Sequence, residues 1–401
     1  MKNVYFIGEN SSLLKNLEEI FPSHAWNIIY ITSKKRVNQQ PENYFRIIPK
    51  NKNGFIAEML GKTELMQSID GLVIFGSDYE MRQISESNCP IWVKEKLLPT
   101  KNELGFSIAD SKVGLARVLT QLKIKSPKQY VFSSMSDIDS QKIPHEMPWL
   151  LKGDAGGGGS KVLDINRLDL QISEQKNIGF PFVVQEKIQG QEICVEAFYW
   201  EGSLTGFIYS TDISNISRYG PSYARTITNP ENLDFRETLV TLGKHLEISG
   251  LVNCTFMLES NSTEHFLVEF DPRPNVYHHL AKYLGLDVSQ LFNVDKSNTL
   301  QSPEGSTHVL SLDRYLQFLE KNINFENFSK LIEYVFSKSI YVLESPDASI
   351  IYKLRFVVKT LGRRAVFNLV KYTFRKSPKS FQELIKTRGY TLRLTRFILG
   401  H

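Results

Sequence analysis

Cysteine is scarce in this chain. Three occur in 401 residues, Cys89, Cys194 and Cys254, and they lie far apart. None sits in a C-x-x-C pair, so a zinc site or a dithiol redox motif has no support. An odd, sparse set also argues against a disulfide framework. Long apolar runs are missing too. No stretch reaches the roughly 20 residues that span a bilayer. The opening MKNVYFIGEN meets Glu9 too soon for the apolar core of a signal peptide. The expectation is a cytoplasmic protein. There are no internal repeats and no low-complexity tract beyond one run of glycines. The first β–α turn, Gly8-Glu-Asn-Ser-Ser, lacks the G-x-G-x-x-G spacing of a dinucleotide site. No nucleic-acid-binding module signature is present, so no nucleic acid partner is expected.

What is present is globular material. Hydrophobic residues make up 41% and charged residues 23%, enough for two or three domains with real cores. The net charge of +5 hides an asymmetry. From Ile351 to His401 there are 13 Lys and Arg against one acid, Glu383, a net of +12 that leaves −7 for the rest. Charge so segregated predicts either a basic tail folded on an acidic body or a basic surface for an anionic partner.

Hydrophobic periodicity divides the chain. Strand-like runs at 2–8, Trp26–Thr32 and Gly71–Gly76, with helical spacing over Leu13–Ile20, predict a β–α–β opening and a small parallel sheet. From Asp110 strands and helices alternate as in an α+β domain. A helix is expected over Asp110–Leu122 and another over Phe235–Ile248. Strands are expected at Gln129–Phe132, Pro148–Lys152 and Leu204–Ser210. Phe182–Ile188 and Glu192–Tyr199 read as a strand pair around Gln189-Gly190, and Leu251–Leu258 with His265–Phe270 as a hairpin. Beyond about Asn298 the spacing is mostly helical, over Leu310–Lys321, Phe325–Ser337 and the basic amphipathic stretches Tyr352–Lys376 and Ser380–Leu399.

Three elements carry chemistry. The first is Lys152-Gly-Asp-Ala-Gly-Gly-Gly-Gly-Ser160. Glycines without side chains let backbone N–H groups turn toward an anion, and Lys152 supplies positive charge beside them. A flexible surface loop is the plain alternative. The order, lysine before glycines, is not that of a Walker A loop. The second is Val183-Val-Gln-Glu-Lys-Ile-Gln-Gly-Gln-Glu192. Extended backbone there can meet an adenine edge, and Glu192 can accept from both ribose hydroxyls. An ordinary hairpin with solvated acids is its alternative. The third is Glu269-Phe-Asp271-Pro-Arg273-Pro-Asn275. Residues i and i+2 on a strand share a side, so Glu269 and Asp271 present two hard oxygen ligands together. Arg273 follows within reach of a phosphate held there.

In combination these elements resemble the ATP-grasp superfamily of carboxylate–amine ligases, in that family's order and over roughly residues 1–300. The glycine loop looks most like biotin carboxylase. Gly250-Leu-Val-Asn-Cys-Thr-Phe with Glu-Phe-Asp-Pro-Arg-Pro looks most like carbamoyl phosphate synthetase. The resemblance implies a mixed α/β and α+β fold. It would have a Rossmann-like pre-ATP-grasp domain at 1–108, an ATP-grasp domain at 109–300 and a mainly helical, basic region at 301–401. It implies ATP with Mg2+ or Mn2+, and small carboxylate and amine substrates. Lys112 and Lys152 would touch ATP phosphates. Gly156, Gly157, Gly158, Gly159 and Ser160 would form the lid over the triphosphate. Gln185, Lys187 and Ile188 would line the adenine site, the last two mainly by backbone, and Glu192 would bind ribose. Glu269 and Asp271 would hold the metal. Arg273 and Lys152 would be catalytic. Arg218 and Arg225, in Ser214–Arg225, are candidates for the acyl substrate's carboxylate, with solvent-facing arginines as the alternative.

Two positions depart from the family. Thr255 stands where relatives commonly carry an acid or amide metal ligand, and Asp271 where they carry Asn. A hydroxyl is a poorer ligand for Mg2+, and Asp271 adds charge that partly offsets it. Two other readings stay open. One is an ATP-binding regulator without turnover. The other is an enzyme at the inner face of a membrane, its basic tail on anionic lipid and its substrate a lipid-linked or envelope-associated acid.

Overall fold

The computed structural model describes residues 2–8, 12–33, 43–49, 54–134, 148–165, 179–228, 235–260, 262–286, 306–322, 325–336 and 340–342, plus a few isolated positions. The basic stretches Tyr352–Lys376 and Ser380–Leu399 lie outside these, apart from Lys353 and Val357. Among the described residues no helix is long and apolar enough to cross a membrane.

The described elements follow in chain order. They begin with β1 (Lys2–Ile7), α1 (Ser12–Ile20), β2 (Trp26–Thr32), β3 (Asn43–Arg46), α2 (Phe55–Leu60), α3 (Thr63–Ser68), β4 (Leu72–Phe75), α4 (Asp78–Glu86), α5 (Ile91–Leu97) and α6 (Glu103–Phe106). Next come α7 (Lys112–Gln121), β5 (Gln129–Phe132), β6 (Trp149–Gly153), β7 (Val162–Ile165), β8 (Phe182–Glu186), β9 (Gly190–Trp200), β10 (Ser203–Asn215) and β11 (Ser222–Thr228). The chain continues with α8 (Phe235–Leu246), β12 (Gly250–Glu259), β13 (His265–Asp271), a 3-10 turn (His278–Leu284), β14 (Ser306–Leu310), α9 (Leu312–Lys321), α10 (Phe325–Phe336) and β15 (Ile340–Val342).

The first compact unit comprises Met1–Thr211 with Thr228–Ser306. Its N-terminal sheet is parallel, in the order β3-β2-β1-β4. Val4, Phe6 and Ile74 are buried on one face, and Tyr5, Ile7, Val73 and Phe75 on the other. Burial on both faces is why these strands read as unbroken apolar runs. In α1, Leu13, Leu17 and Ile20 are buried, the spacing of one helical face.

Two further layers follow in this unit. A small antiparallel sheet has the order β5-β8-β6-β7, with Trp149, Leu151, Phe182 and Val184 in its core. The other layer contains β13-β12-β9-β10, all antiparallel, with α8 packed by Phe235, Leu239, Leu242 and Leu246. β8 and β9 therefore belong to different sheets and are not the strand pair the sequence suggests. The chain crosses between layers at 187–189. There the Lys187 N–H is taken by the Pro148 carbonyl (2.9 Å), and the Gln189 carbonyl accepts from Ser260 N (2.8 Å). Gly190 seats the crossing, because a Cβ there would lie 1.8 Å from the Leu258 carbonyl oxygen.

The second unit comprises Asp212–Ile227 with the described residues from Thr307 onward. It holds β11, β14 and β15, the last two parallel, together with α9 and α10. The expectation of helices at Leu310–Lys321 and Phe325–Ser337 holds for α9 and α10. Strands β14 and β15, not foreseen in that region, flank them.

Candidate active site

The glycine loop joins β6 to β7 and is tied at its base to the start of α7. Asp154 makes that tie. Its Oδ1 accepts from Val113 N (3.0 Å) and Ser111 Oγ (2.8 Å), and its Oδ2 from Arg82 Nη1 (3.1 Å). The carboxylate thus caps two donors at the N-terminus of α7, where the helix dipole favours negative charge. Gly156 N donates to Asp110 Oδ1 (3.2 Å), and Lys112 Nζ donates to the Gly156 carbonyl (2.8 Å). The far side of the loop is open. A Cβ on Gly157 would meet nothing within 4 Å. Gly158 and Gly159 have φ of 62° and 71°, left-handed backbone that glycine adopts without strain. Ser160 Oγ donates back to the Gly157 carbonyl (3.1 Å).

Lys152 sits on β6 opposite β8, and its Nζ donates to Gln185 Oε1 (2.6 Å). Gln185 is 4% exposed and donates onward to Gln129 Oε1 (3.3 Å). Burial pushes the Lys152 ammonium down to about 8; Glu269 pulls it up and Lys112 pushes it further down. The lysine therefore feels both Glu269 on β13 and Lys112 at the start of α7. Lys187 directs its ammonium to Asp164 (2.6 Å). Ile188 follows it into the crossing, and Glu192 lies at the start of β9, with Cys194 Sγ 3.6 Å from its Oε1.

Strand register aligns the acids. Cys194 and Glu269 both pair with Thr255 on β12, and Glu196 and Asp271 both pair with Asn253. Two cross-strand rows thus share one face of the sheet. Thr255 Oγ1 donates to Glu269 Oε2 (3.4 Å). Asp271 is driven well above the usual carboxylate range by burial and by the charges of Asp78 and Glu269, against Arg273 and Lys112. Arg273 lies 3.5 Å from Asp271 Oδ2 and grips Asp78, at the start of α4, through Nε (2.5 Å) and Nη2. Burial opposes the charge on Arg273, but Asp271 and Asp78 outweigh it and raise its pKa.

Several partners were not singled out from sequence. Asp78 and Asp154 contact residues tens to nearly two hundred positions away, so no local pattern marks them. Glu196 did carry a signal, since period two puts it on the face of Glu192. It is fully buried, and its Oε1 accepts from Asn275 Nδ2 (2.9 Å). Asn275 also donates to Asn253 Oδ1 (2.7 Å). Under this layer His278 accepts from Asn275 N at Nδ1 (3.1 Å), with Nε2 3.2 Å from the Val252 carbonyl. Burial pushes its pKa down to about 3, a structural histidine. Arg218 and Arg225 belong to the second unit. The Arg218 guanidinium is 5.5 Å from the centre of the Tyr219 ring, and Arg225 Nε donates to Ser222 Oγ (2.7 Å).

Among the described residues no three His, Cys, Asp or Glu side chains form a ready-made metal cage. Mg2+ seldom needs one: it keeps several waters and takes one or two carboxylates plus phosphate oxygens. Glu269 and Asp271, crowded with Asp78 until Asp271 resists ionisation, fit such a cation.

A small antiparallel sheet carrying a glycine loop, set with a second sheet carrying paired acids and an arginine, is the ATP-grasp fold. Solved structures with this fold include the biotin carboxylase–beta-gamma-ATP complex from Campylobacter jejuni, at 16% identity and TM-score 0.56 over 77% of this chain and 74% of that one. Another is the biotin carboxylase domain of 2-oxoglutarate carboxylase from Hydrogenobacter thermophilus, solved with MgADP, ADP and bicarbonate, at 13% identity and TM-score 0.55 over 77% and 73%. A third is L-amino acid ligase from Bacillus licheniformis, at 15% identity and TM-score 0.54 over 76% and 75%. At these identities the likeness is one of fold. No protein-family model matches the sequence, and no curated protein matches it.

Proposed function

We propose that this chain is an ATP-dependent ligase that activates a small carboxylate as an acylphosphate and joins it to an amine. The observation that carries the reading is the convergence of three distant motifs. Lys112 holds the glycine loop, Lys152 contacts Gln185 and feels Glu269, and Arg273 lies against Asp271. The fold shared with an L-amino acid ligase and with nucleotide-bound biotin carboxylases supports it. The functional division is 1–108, 109–300 and 301–401.

Lys112 and Lys152 would neutralise the triphosphate, and Gly156–Ser160 would cover it and keep water out. Gln185, with the backbone at Lys187 and Ile188, would meet adenine, and Glu192 the ribose. Glu269 and Asp271 would hold Mg2+, which when bound shields phosphate charge. A substrate carboxylate oxygen then bonds to the γ-phosphorus as the bond to the β–γ bridging oxygen breaks, and ADP leaves. The amine attacks the acyl carbon and phosphate departs. Arg273 would stabilise the transferred phosphoryl group, and the rest of the work is positioning. Arg218 and Arg225 are the proposed carboxylate contacts of the acyl substrate.

The test is ADP release with Mg–ATP against paired small acids and amines, beside Glu269→Ala. ADP release that needs both substrates and vanishes in the variant is expected. Tight ATP binding without turnover across the panel would favour a regulator, and no ATP binding would sink the reading.

A further inference from the structure

A cavity of about 370 Å3 lies away from the active-site rows, at the other end of the same strands. Its walls are Gly71–Val73 at the start of β4, Leu98, Pro99 and Lys101 after α5, Trp200-Glu201 at the end of β9, and Glu247 and Ser249 before β12. Trp200 is four residues along β9 from Glu196, about 13 Å at the usual strand rise.

The lining is unusual in its charges. Lys101 lines the cavity half-buried, and its burial pushes the ammonium pKa down to about 8 against the pull of Glu95. Among the described residues its Nζ has one hydrogen-bond partner, the Leu98 carbonyl at 2.8 Å, and no ion-pair partner. An ammonium has three donors, so two remain for a ligand. Burying a cation without an anion is costly, and nothing in the proposed chemistry uses this one. Glu201 and Glu247 stand at the exposed rim of the same wall; among the described residues Glu247 Oε1 accepts from Asn102 Nδ2 alone (3.2 Å). Leu72, Val73, Pro99 and the Trp200 ring supply apolar surface. One cation, two carboxylates and an apolar floor, in a volume at the low end for small-molecule pockets, select a ligand that carries both signs.

We propose that this cavity is an effector site for a free α-amino acid with an apolar side chain. Its carboxylate pairs with Lys101, its ammonium with Glu201 and Glu247, and its side chain packs against Trp200. The cavity joins the parallel sheet to the ATP-grasp layers. β4, which begins in its wall, ends three residues before Asp78, the residue that grips Arg273. A ligand wedged there fixes β4 against β9 and β12, and so biases the Asp78–Arg273 contact. Binding stands independently of the ligase reading; the effect on turnover rests on it.

The test is calorimetric titration of the full chain, without ATP, with the proteinogenic L-amino acids and with acetate and methylamine as single-charge probes. An apolar amino acid should bind while acetate and methylamine do not. Lys101→Met should weaken it by about tenfold or more, the worth of a charged hydrogen bond, and Lys101→Arg should restore part of the loss. ATP affinity in Lys101→Met should match the parent, which shows the variant is folded. Glu247→Gln should weaken the amino acid as well. Unchanged amino acid affinity in a folded Lys101→Met, acetate binding as tightly as the amino acid, or no amino acid binding at all would each overturn the proposal. Amino acid binding lost in Lys101→Met, in a chain that turns over no substrate, would keep this site and remove the ligase.

Discussion

Asp154 is the residue whose loss should say most about the site. Its carboxylate is 9% exposed and meets three donors from two elements. In Asp154→Ala the Val113 N–H loses its cap, worth about 1 kcal/mol. The Ser111 hydroxyl loses an acceptor, worth about another 1 kcal/mol, though Ser111 Oγ still accepts from Gly114 N. Arg82 loses one carboxylate but keeps Glu86 and the Asp110 carbonyl; its partial exposure limits that loss to about 1 kcal/mol. The sum is about 3 kcal/mol, or roughly a hundredfold in the opening equilibrium of the α7 N-terminus. Hydrogen exchange of the amides at 111–116 reads this directly. Asp154→Asn keeps an oxygen toward Val113 and Ser111 and sacrifices only the Arg82 pair, so it should cost about 1 kcal/mol, about fivefold. Both variants should raise the KM for ATP, because the loop base moves with the helix. Equal exchange in the Ala and Asn variants, or less than about a fivefold change in Asp154→Ala, would refute the assignment of Asp154 as the clamp.

Other outcomes follow from the same geometry. His278 is neutral when folded, with its pKa depressed from 6.5 to about 3, so the unfolded chain binds its proton first and stability falls as pH drops below 6.5. Between pH 7 and pH 5 that costs about 2 kcal/mol, and urea unfolding of His278→Gln should lack this share of the acid sensitivity. Gly190→Ala should destabilise by about 1–3 kcal/mol through its clash with the Leu258 carbonyl, whereas Gly157→Ala, facing open space, should leave the melting temperature unchanged. Lys152→Met removes a buried charge but leaves the buried Gln185 Oε1 without its donor, so stability should fall by about 1 kcal/mol while ATP affinity, read by calorimetry, drops by about tenfold or more.

Legibility in the sequence followed the range of the interaction. β1, β2 and β4 were visible because burial on both faces leaves unbroken apolar runs such as Val4–Ile7. Glu269 and Asp271 were visible because a strand repeats every two residues. The glycine loop announced itself, but its anchor did not, since Asp154 acts through residues 41 and 72 positions away in sequence. The β8–β9 crossing was misread for a physical reason. Gln189-Gly190 has the composition of a hairpin turn, yet this glycine serves a close approach to β12 rather than a reversal. β14 and β15 are short, five and three residues, and β11 is polar along its length, with Ser222, Arg225, Thr226 and Thr228 among its seven residues.

Thr255 shows how local reading and long-range structure combine. Judged on β12 alone, a hydroxyl in place of an acid leaves the site short of negative charge. The fold supplies that charge from elsewhere. Asp78 arrives from the start of α4 beside Glu269 and Asp271, so three carboxyl groups crowd Arg273 and Lys112, and the crowding itself holds Asp271 toward its neutral form. The charge has been redistributed, with a difference in kind. An acid on β12 would be fixed directly beside β13. Asp78 is fixed to the parallel sheet and reaches the site through Arg273. The ionic balance of the site therefore depends on how β4 and α4 sit against β13, and whatever shifts that packing also resets the charge around Arg273.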